Sequence, residues 1–420
     1  MKITDLNLTE NPNSIRCSAK IIWEDFSRSP QEIFFETEQA FAQSISPDPH
    51  AFLIASIFPA LYFGESRLYM EEAICPKLID GLNTAMRLLH HWWYPPTHKI
   101  VSIEAKKIES APIETRPKRA AFCFSGGVDS MATLYHNHTE YPEGHPGYLK
   151  DGLLVCGLEV QDVEQFQKVL KLISTIAEAS GVTFIPVYTN IVQLGPEDSN
   201  EYWKKFWLNE YMSASFAAIA HAFSKRWHSF AVNSSHDIPN LIPHGSNPLL
   251  TSCYSSWGLQ IKEEGIDFSR VEKVKLITNW DVALDNLRVC NKSHLYDEGV
   301  FNCGKCEKCV RTMLAMEAAG GVSRSRAFPV DNVTVELVEK AVVLAGNTLP
   351  LYMELLAPLK EAGRPDLAGA VERKIIAYHK KIKKDRWQQP IIEFDNKYFN
   401  GGIKRMKNRF TASRAFNSRH

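Results

Sequence analysis

Six consecutive residues, Ser125-Gly126-Gly127-Val128-Asp129-Ser130, constrain the fold of this chain more than any other feature. Residues 120–124 ahead of them form a short apolar run, the pattern of a buried strand, and residues 130–136 behind them read as a helix. A strand that turns through paired glycines into a helix is the opening unit of an α/β sheet. The glycines let the backbone pass close to an anion in conformations closed to other residues. Amide N–H groups of the turn and the helix start then point at that anion, and Ser125 and Ser130 add hydroxyl donors. Asp129 would repel a bare phosphate, so a carboxylate there either orients the loop or reaches a Mg²⁺ carried by a nucleotide. No Gly-Lys-Ser/Thr follows, so the loop is not of the Walker A type.

The surrounding pattern extends this reading. Strands are expected at residues 120–124, 152–158, 182–187, 229–232 and 274–277. Helices are expected at 162–180, with Asp162 as N-cap and Gly181 as stop, and at 203–223. Strands alternating with helices imply an α/β fold with a parallel sheet and helices on both faces. Residues 1–110 read as an N-terminal accessory α+β domain, with strands at 15–23 and 32–37 and helices at 51–62 and 71–93. Tyr94-Pro95-Pro96 ends the second of these helices, and residues 110–118, with two prolines, read as a linker. The central domain is placed at 119–315. Residues 316–420 form a helical extension, with helices at 333–345 and 350–362 and a basic tail.

Nine cysteines, an odd number, with no basic-then-apolar leader at the start, argue against a disulfide framework and for the cytoplasm. No apolar run is long enough to span a bilayer, so no membrane contact is expected. Cys123 and Cys156 read as small buried hydrophobes. Cys303, Cys306 and Cys309 form two consecutive CxxC steps, with Cys290 upstream. Three thiolates at the start of a helix converge on one ion, and a fourth ligand closes a tetrahedral site. Four soft ligands favour Zn²⁺, with an iron–sulfur cluster as the alternative. Lys305, Lys308 and Arg311 would offset part of the excess negative charge. The fourth ligand is Cys290, or else His294 or Asp297.

Together, the SGGVDS loop and the downstream Cys…CGKCEKC cluster resemble the PP-loop (N-type) ATP pyrophosphatases, and within them 7-cyano-7-deazaguanine synthase. The resemblance spans residues 119–315 and implies an adenine nucleotide alpha hydrolase-like domain using ATP and Mg²⁺, with structural Zn²⁺ on Cys290, Cys303, Cys306 and Cys309. It implies that Ser125, Gly126, Gly127, Val128, Asp129 and Ser130 bind the nucleotide, with Asp129 and Ser130 as the candidate catalytic pair. The implied substrate is a 7-carboxy-7-deazaguanine-type carboxylate, adenylated and then converted to an amide and a nitrile by ammonia. Enlarged relatives in antiphage operons, including type IV CBASS, would instead join the deazaguanine to a protein amine. The first 110 and last 100 residues exceed the family's compact form.

Weaker candidates remain. Asn233-Ser234-Ser235-His236-Asp237 and His244-Gly245-Ser246-Asn247-Pro248 fall near an expected strand end, where open sheets bind ligands. Glu159-Val160-Gln161-Asp162 follows the second strand, where backbone contacts to adenine are implied. His90-His91-Trp92-Trp93 reads as packing, because adjacent helical residues do not face one way. From residue 373 onward, 14 Lys and Arg stand against 3 acids, so the tail, including Lys380, Lys381, Lys383, Lys384 and residues 404–409, is a candidate RNA contact. That tail supports a second reading, an ATP-dependent tRNA-modifying (thiolating) enzyme.

Overall fold

The computed structural model describes residues 1–109, 118–290 and 300–399, with side chains described as far as residue 385. Ten strands form one continuous sheet in the order β10-β9-β6-β7-β8-β3-β2-β1-β4-β5. In chain order these are β1 Lys2–Glu10, β2 Ser14–Ile22, β3 Gln31–Glu38, β4 Arg67–Ile74, β5 Ser102–Lys107, β6 Arg119–Cys123, β7 Leu149–Cys156, β8 Thr183–Thr189, β9 Trp227–Asn233 and β10 Gln260–Glu264. The main helices are α1 Pro49–Phe63, α2 Pro76–Trp93, α3 Val128–Glu140, α4 Val163–Ser180, α5 Met212–Ala222, α6 Arg270–Thr278, α7 Glu307–Ala318 and α8 Pro365–Phe399. The fold is thus mixed α/β, with helices flanking a multi-stranded sheet and a helical C-terminal extension. Among the described residues no helix is long and apolar enough to cross a membrane.

The two halves of the sheet follow different rules. From β10 to β8 all pairings are parallel. Both faces there are covered, so β6 and β7 are buried almost throughout. Alternate residues feed two cores: Ala121, Cys123, Leu153 and Val155 pack toward α1, α2 and α5, while Ala120, Phe122, Phe124 and Leu154 pack toward α3, α4 and α7. The N-terminal strands β3, β2 and β1 pair antiparallel, and their burial alternates more. One side lies on α1 and the other faces solvent.

The seam between the halves is the antiparallel pairing of β3 with β8, over Phe35↔Thr189, Glu36↔Tyr188 and Thr37↔Val187. Side chains extend this short ladder. Thr37 Oγ1 donates to Pro186 O (2.7 Å), and Thr189 Oγ1 donates to Phe34 O (2.7 Å). Asn190 acts as one more rung: its Oδ1 accepts from Phe34 N (2.9 Å) and its Nδ2 donates to Glu32 O (2.8 Å). The strands of residues 1–110 therefore complete the same sheet that carries the glycine loop.

Several elements differ from expectation, for identifiable reasons. The helix expected over 71–93 begins only at Pro76; Pro76 fixes the first helical position, and the preceding residues extend β4. The strand expected at 274–277 is helical. Ser269 and Glu272 form a reciprocal capping box that starts α6, and the fifth parallel strand is the polar edge strand β10. The helix expected over 203–223 is π-helical over Tyr202–Tyr211 before it becomes α5. Gly245 explains this, since its N–H donates to Leu208 O (2.7 Å) and its C=O accepts from Ser213 N (3.1 Å), breaking into the helical ladder. A Cβ at Gly245 would lie 2.9 Å from Glu210 N, so only glycine can dock there.

Replacing Asn190 by Ala should leave Phe34 N–H without a partner and destabilise the protein by about 1–3 kcal/mol. A lowered urea midpoint at unchanged slope is the expected result. An unchanged midpoint would mean that the backbone pairs alone hold the seam.

Candidate functional site

β6 ends beneath the glycine loop, and the loop opens α3. Gly126 has φ +71°, so its left-handed conformation favours glycine, and a Cβ there would press on the end of the Ile173 side chain at 2.8 Å. Its carbonyl accepts from Arg288 N (2.8 Å), which ties the loop to the segment leading into Cys290. Ser125 is exposed at the tip, whereas Val128 and Ser130 are buried. Ser130 Oγ donates to Gly127 O (3.1 Å) and lies 3.4 Å from Ser125 Oγ. The Ser130 hydroxyl therefore shapes the turn, while the Ser125 hydroxyl is open to solvent.

Asp129 is the centre of an ion cluster. Arg270 Nη1 donates to both carboxylate oxygens at 2.8 Å, Lys273 Nζ lies 3.6 Å away, and Ser235 Oγ lies 3.5 Å away. Burial works against the Asp129 charge, but Arg270 and Lys273 outweigh it and hold the carboxyl below its usual range. The charges of Lys308 and Arg311 bear on the same group. Burial lowers the pKa of Lys273, Arg288, Lys308 and Arg311, opposed in each case by nearby carboxylates. The Nε atoms of Arg270, Arg288 and Arg311 are buried without a hydrogen-bond partner among the described residues, as are His236 Nδ1 and Asn233 Oδ1. An anionic ligand would satisfy donors of this kind.

The loop after β9 lies beside this cluster. Ser234 carbonyl accepts from Lys273 Nζ (2.6 Å), and the His236 and His244 rings sit edge to face at 6.1 Å. Burial lowers the pKa of both histidines, that of His244 to about 4, so both are neutral at pH 7. Glu159 lies on the other side, where its charge acts on Arg288 and Lys308. The extension contributes Glu354, whose buried Oε1 lacks a partner among the described residues and whose carboxyl burial pushes up to about 7. A separate cavity lined by Thr133, His136, Phe268 and Lys273 opens farther along α3.

Cys290, Cys303, Cys306 and Cys309 converge, with all four sulfurs within 4.8 Å of one another. Sγ separations are 3.7 Å for Cys290–Cys306, 3.8 Å for Cys303–Cys309 and 3.4 Å for Cys306–Cys309. A tetrahedral metal with sulfur ligands at about 2.3 Å spaces them by about 3.8 Å, so the group can hold a metal ion. The amides of Lys305 and Cys306 donate to Cys303 Sγ (3.3 and 3.2 Å), which favours a thiolate there. Buried Asn302 locks the opposite side: its Oδ1 accepts from Val289 N and Cys290 N, and its Nδ2 donates to Leu287 O and Ala327 O. Cys290 is therefore in place as the fourth ligand; His294 and Asp297 lie outside the described residues. Lys308 and Arg311, expected beside the sulfurs, direct their charge toward Asp129 and its neighbours instead.

A second group, Asp48, His50 and His221, is close enough to suggest a metal. Its hydrogen bonds favour a structural role. His50 Nε2 accepts from Cys75 N (3.0 Å), so Nδ1 carries the proton donated to Asp48 (2.6 Å), and His221 Nε2 donates to Tyr254 O (2.8 Å). His90 likewise bonds to His98 O (2.8 Å) and packs near Tyr94. The basic run Lys380–Lys384 is exposed on α8, and residues 404–409 lie outside the described residues.

The structure thus gathers the predicted loop residues in one place and the predicted cysteines in another, linked through Arg288 and α7. The sequence reading missed Arg270, Lys273 and Arg288 and gave Lys308 and Arg311 a different task. The Ser269…Glu272 capping signal was the clue that could have placed Arg270 and Lys273 on a helix. Compared with known proteins, the chain matches no family model, no curated protein and no solved structure.

Cys306→Ser should lower metal content measured on the purified protein and reduce the melting temperature, because metal binding contributes directly to folding. A metal-free variant with the wild-type melting temperature would show that the four thiols are not a structural centre.

Proposed function

We propose that this chain is an ATP-dependent ligase or synthase of the PP-loop type, built on an adenine nucleotide alpha hydrolase-like domain, that adenylates a carboxylate and releases pyrophosphate. One observation carries the reading: buried guanidinium Nε donors, without hydrogen-bond partners among the described residues, lie near a glycine loop at the end of a parallel strand. A polyanion such as the ATP phosphates would satisfy these donors and relieve the buried cations. Ser125, Gly126, Gly127 and the start of α3 hold the phosphates in this reading, and Arg270 and Lys273 neutralise them. Asp129 is engaged by Arg270 in this structure. It becomes available to Mg²⁺ when the phosphates draw Arg270 away.

Cys290, Cys303, Cys306 and Cys309 fit Zn²⁺ in number, softness and spacing. The ion's contribution would be structural: it fixes the start of α7 beside the loop. The substrate class is a 7-carboxy-7-deazaguanine-type acid. A carboxylate is a poor acceptor for an amine until one oxygen leaves as AMP. The amine is ammonia, giving an amide and then a nitrile, or a protein amine, as suits antiphage conjugation in the cytoplasm. The exposed basic run on α8 favours a second reading, a tRNA-thiolating enzyme. An ultraviolet–visible spectrum separates the two, because zinc is colourless and an iron–sulfur cluster is brown.

Purified protein with ATP, Mg²⁺ and 7-carboxy-7-deazaguanine, with and without ammonia, should release AMP, read by mass spectrometry. Asp129→Ala should abolish AMP release while the fold survives, with a lowered melting temperature because Arg270 and Lys273 lose their carboxylate partner. Unchanged turnover in that variant would remove this loop from the reaction, and no AMP under any condition would favour the tRNA reading.

A further inference from the structure

Arg311 is a buried cation of the site that keeps an open donor. Its side chain is only 8% exposed, yet its nearest acid is Glu307, one turn away at 3.5 Å. Glu307 is itself engaged by the Tyr352 hydroxyl at 3.0 Å. The Arg311 Nε is buried with no partner among the described residues. Arg270, by contrast, is anchored on both oxygens of Asp129. The two arginines therefore differ in role: one is oriented at the phosphate loop, and the other holds an open donor edge beside it. A guanidinium presents Nε–H and Nη–H as a planar fork that matches a carboxylate.

We propose that Arg311, with Lys308 beside it, forms a second anion subsite that takes the carboxylate of the acid to be activated, separate from the phosphates at the glycine loop. This rests on the adenylation reading and adds the residue that holds the acceptor. The chemistry needs such a residue. A carboxylate oxygen forms a bond to the α-phosphorus of ATP, and the bond from that phosphorus to the bridging oxygen of the β-phosphate breaks. Pyrophosphate leaves with the electron pair, and no proton need move. Two anions must approach each other for this, and a buried cation at the acceptor offsets their repulsion. The same location makes the subsite depend on the cysteine cluster, because α7 starts directly after Cys306 and carries both cations.

The test uses the full metal-loaded chain and two probes in separate calorimetric titrations, 7-carboxy-7-deazaguanine and α,β-methylene ATP. Arg311→Met should weaken binding of the acid by about tenfold or more, the loss expected for one charge-assisted hydrogen-bonded pair. Affinity for the ATP analogue should change by less than about threefold, and metal content and melting temperature should match wild type. Arg311→Lys, which keeps the charge and loses the fork, should fall between, and it provides the reading if the Met variant does not fold. Equal weakening of both probes would make Arg311 a phosphate ligand and overturn the proposal. So would unchanged binding of the acid, or a wild-type protein that binds the analogue and not the acid. A wild-type protein that binds the acid and not the analogue would instead remove the adenylation reading while leaving the anion subsite in place.

Discussion

Four thiols within 4.8 Å of one another form the constraint on which the rest of the site depends. Thiolates at this spacing repel one another. A divalent cation removes that conflict and fixes two chain segments distant in sequence. One is the segment of Cys290, whose neighbour Arg288 bonds to Gly126 of the loop. The other is α7, whose first turns carry Lys308 and Arg311. The cysteine cluster is therefore joined to the glycine loop through the Arg288 segment and lies at the start of the helix that carries Lys308 and Arg311. Asn302 reinforces the join, with both amide donors and both acceptor sites used to tie its own segment to residues 287–290 and to Ala327.

The loop itself is a balance of unlike charges. Asp129 anchors Arg270 and draws on Lys273, while Lys308 and Arg311 stand close enough to add to the same field. A buried cation with an unmatched donor is unfavourable in the absence of a partner. Strain of this electrostatic kind is tolerated where a ligand resolves it. Neutral His236 and His244 are consistent with that picture, since further positive charge at this point would worsen the imbalance.

Local patterns were legible in the sequence and distant pairings were not. The glycine loop and the CxxC steps each fit within a few residues, so their spacing alone points to a phosphate turn and a metal knuckle. The caps of α4 were equally local: Asp162 accepts from Gln165 N and Gly181 adopts φ +67°, as its neighbours suggest. The strand expected at 274–277 shows how an apolar run misleads when a four-residue capping box, Ser269 to Glu272, outweighs it. β10, with the sequence QIKEE, was overlooked because a charged edge strand lacks the apolar signature of a buried one. The β3–β8 seam is a long-range pairing that no local pattern encodes, and it makes one sheet of regions that read as separate. Gly245 is a further case, since its role rests on the backbone of a helix more than 30 residues earlier in the chain.

The C-terminal extension has a physical reason to be there. α7 starts directly after Cys306, its body is buried in the core through Met313, Leu314 and Met316, and its last turn has a polar anchor as well. Arg364 supplies it, pairing with Glu317 near the end of α7 and donating to Val333 O at 2.8 Å. Tyr352 holds Glu307 on the first turn, which leaves that carboxylate shared between a phenol and Arg311. A helix clamped at both ends keeps Lys308 and Arg311 at a fixed distance from Asp129, which is what electrostatic preorganisation requires. The extension and the cysteine cluster thus both bear on the helix that carries Lys308 and Arg311, and Glu354 reaches the rim of the same cluster from the extension side.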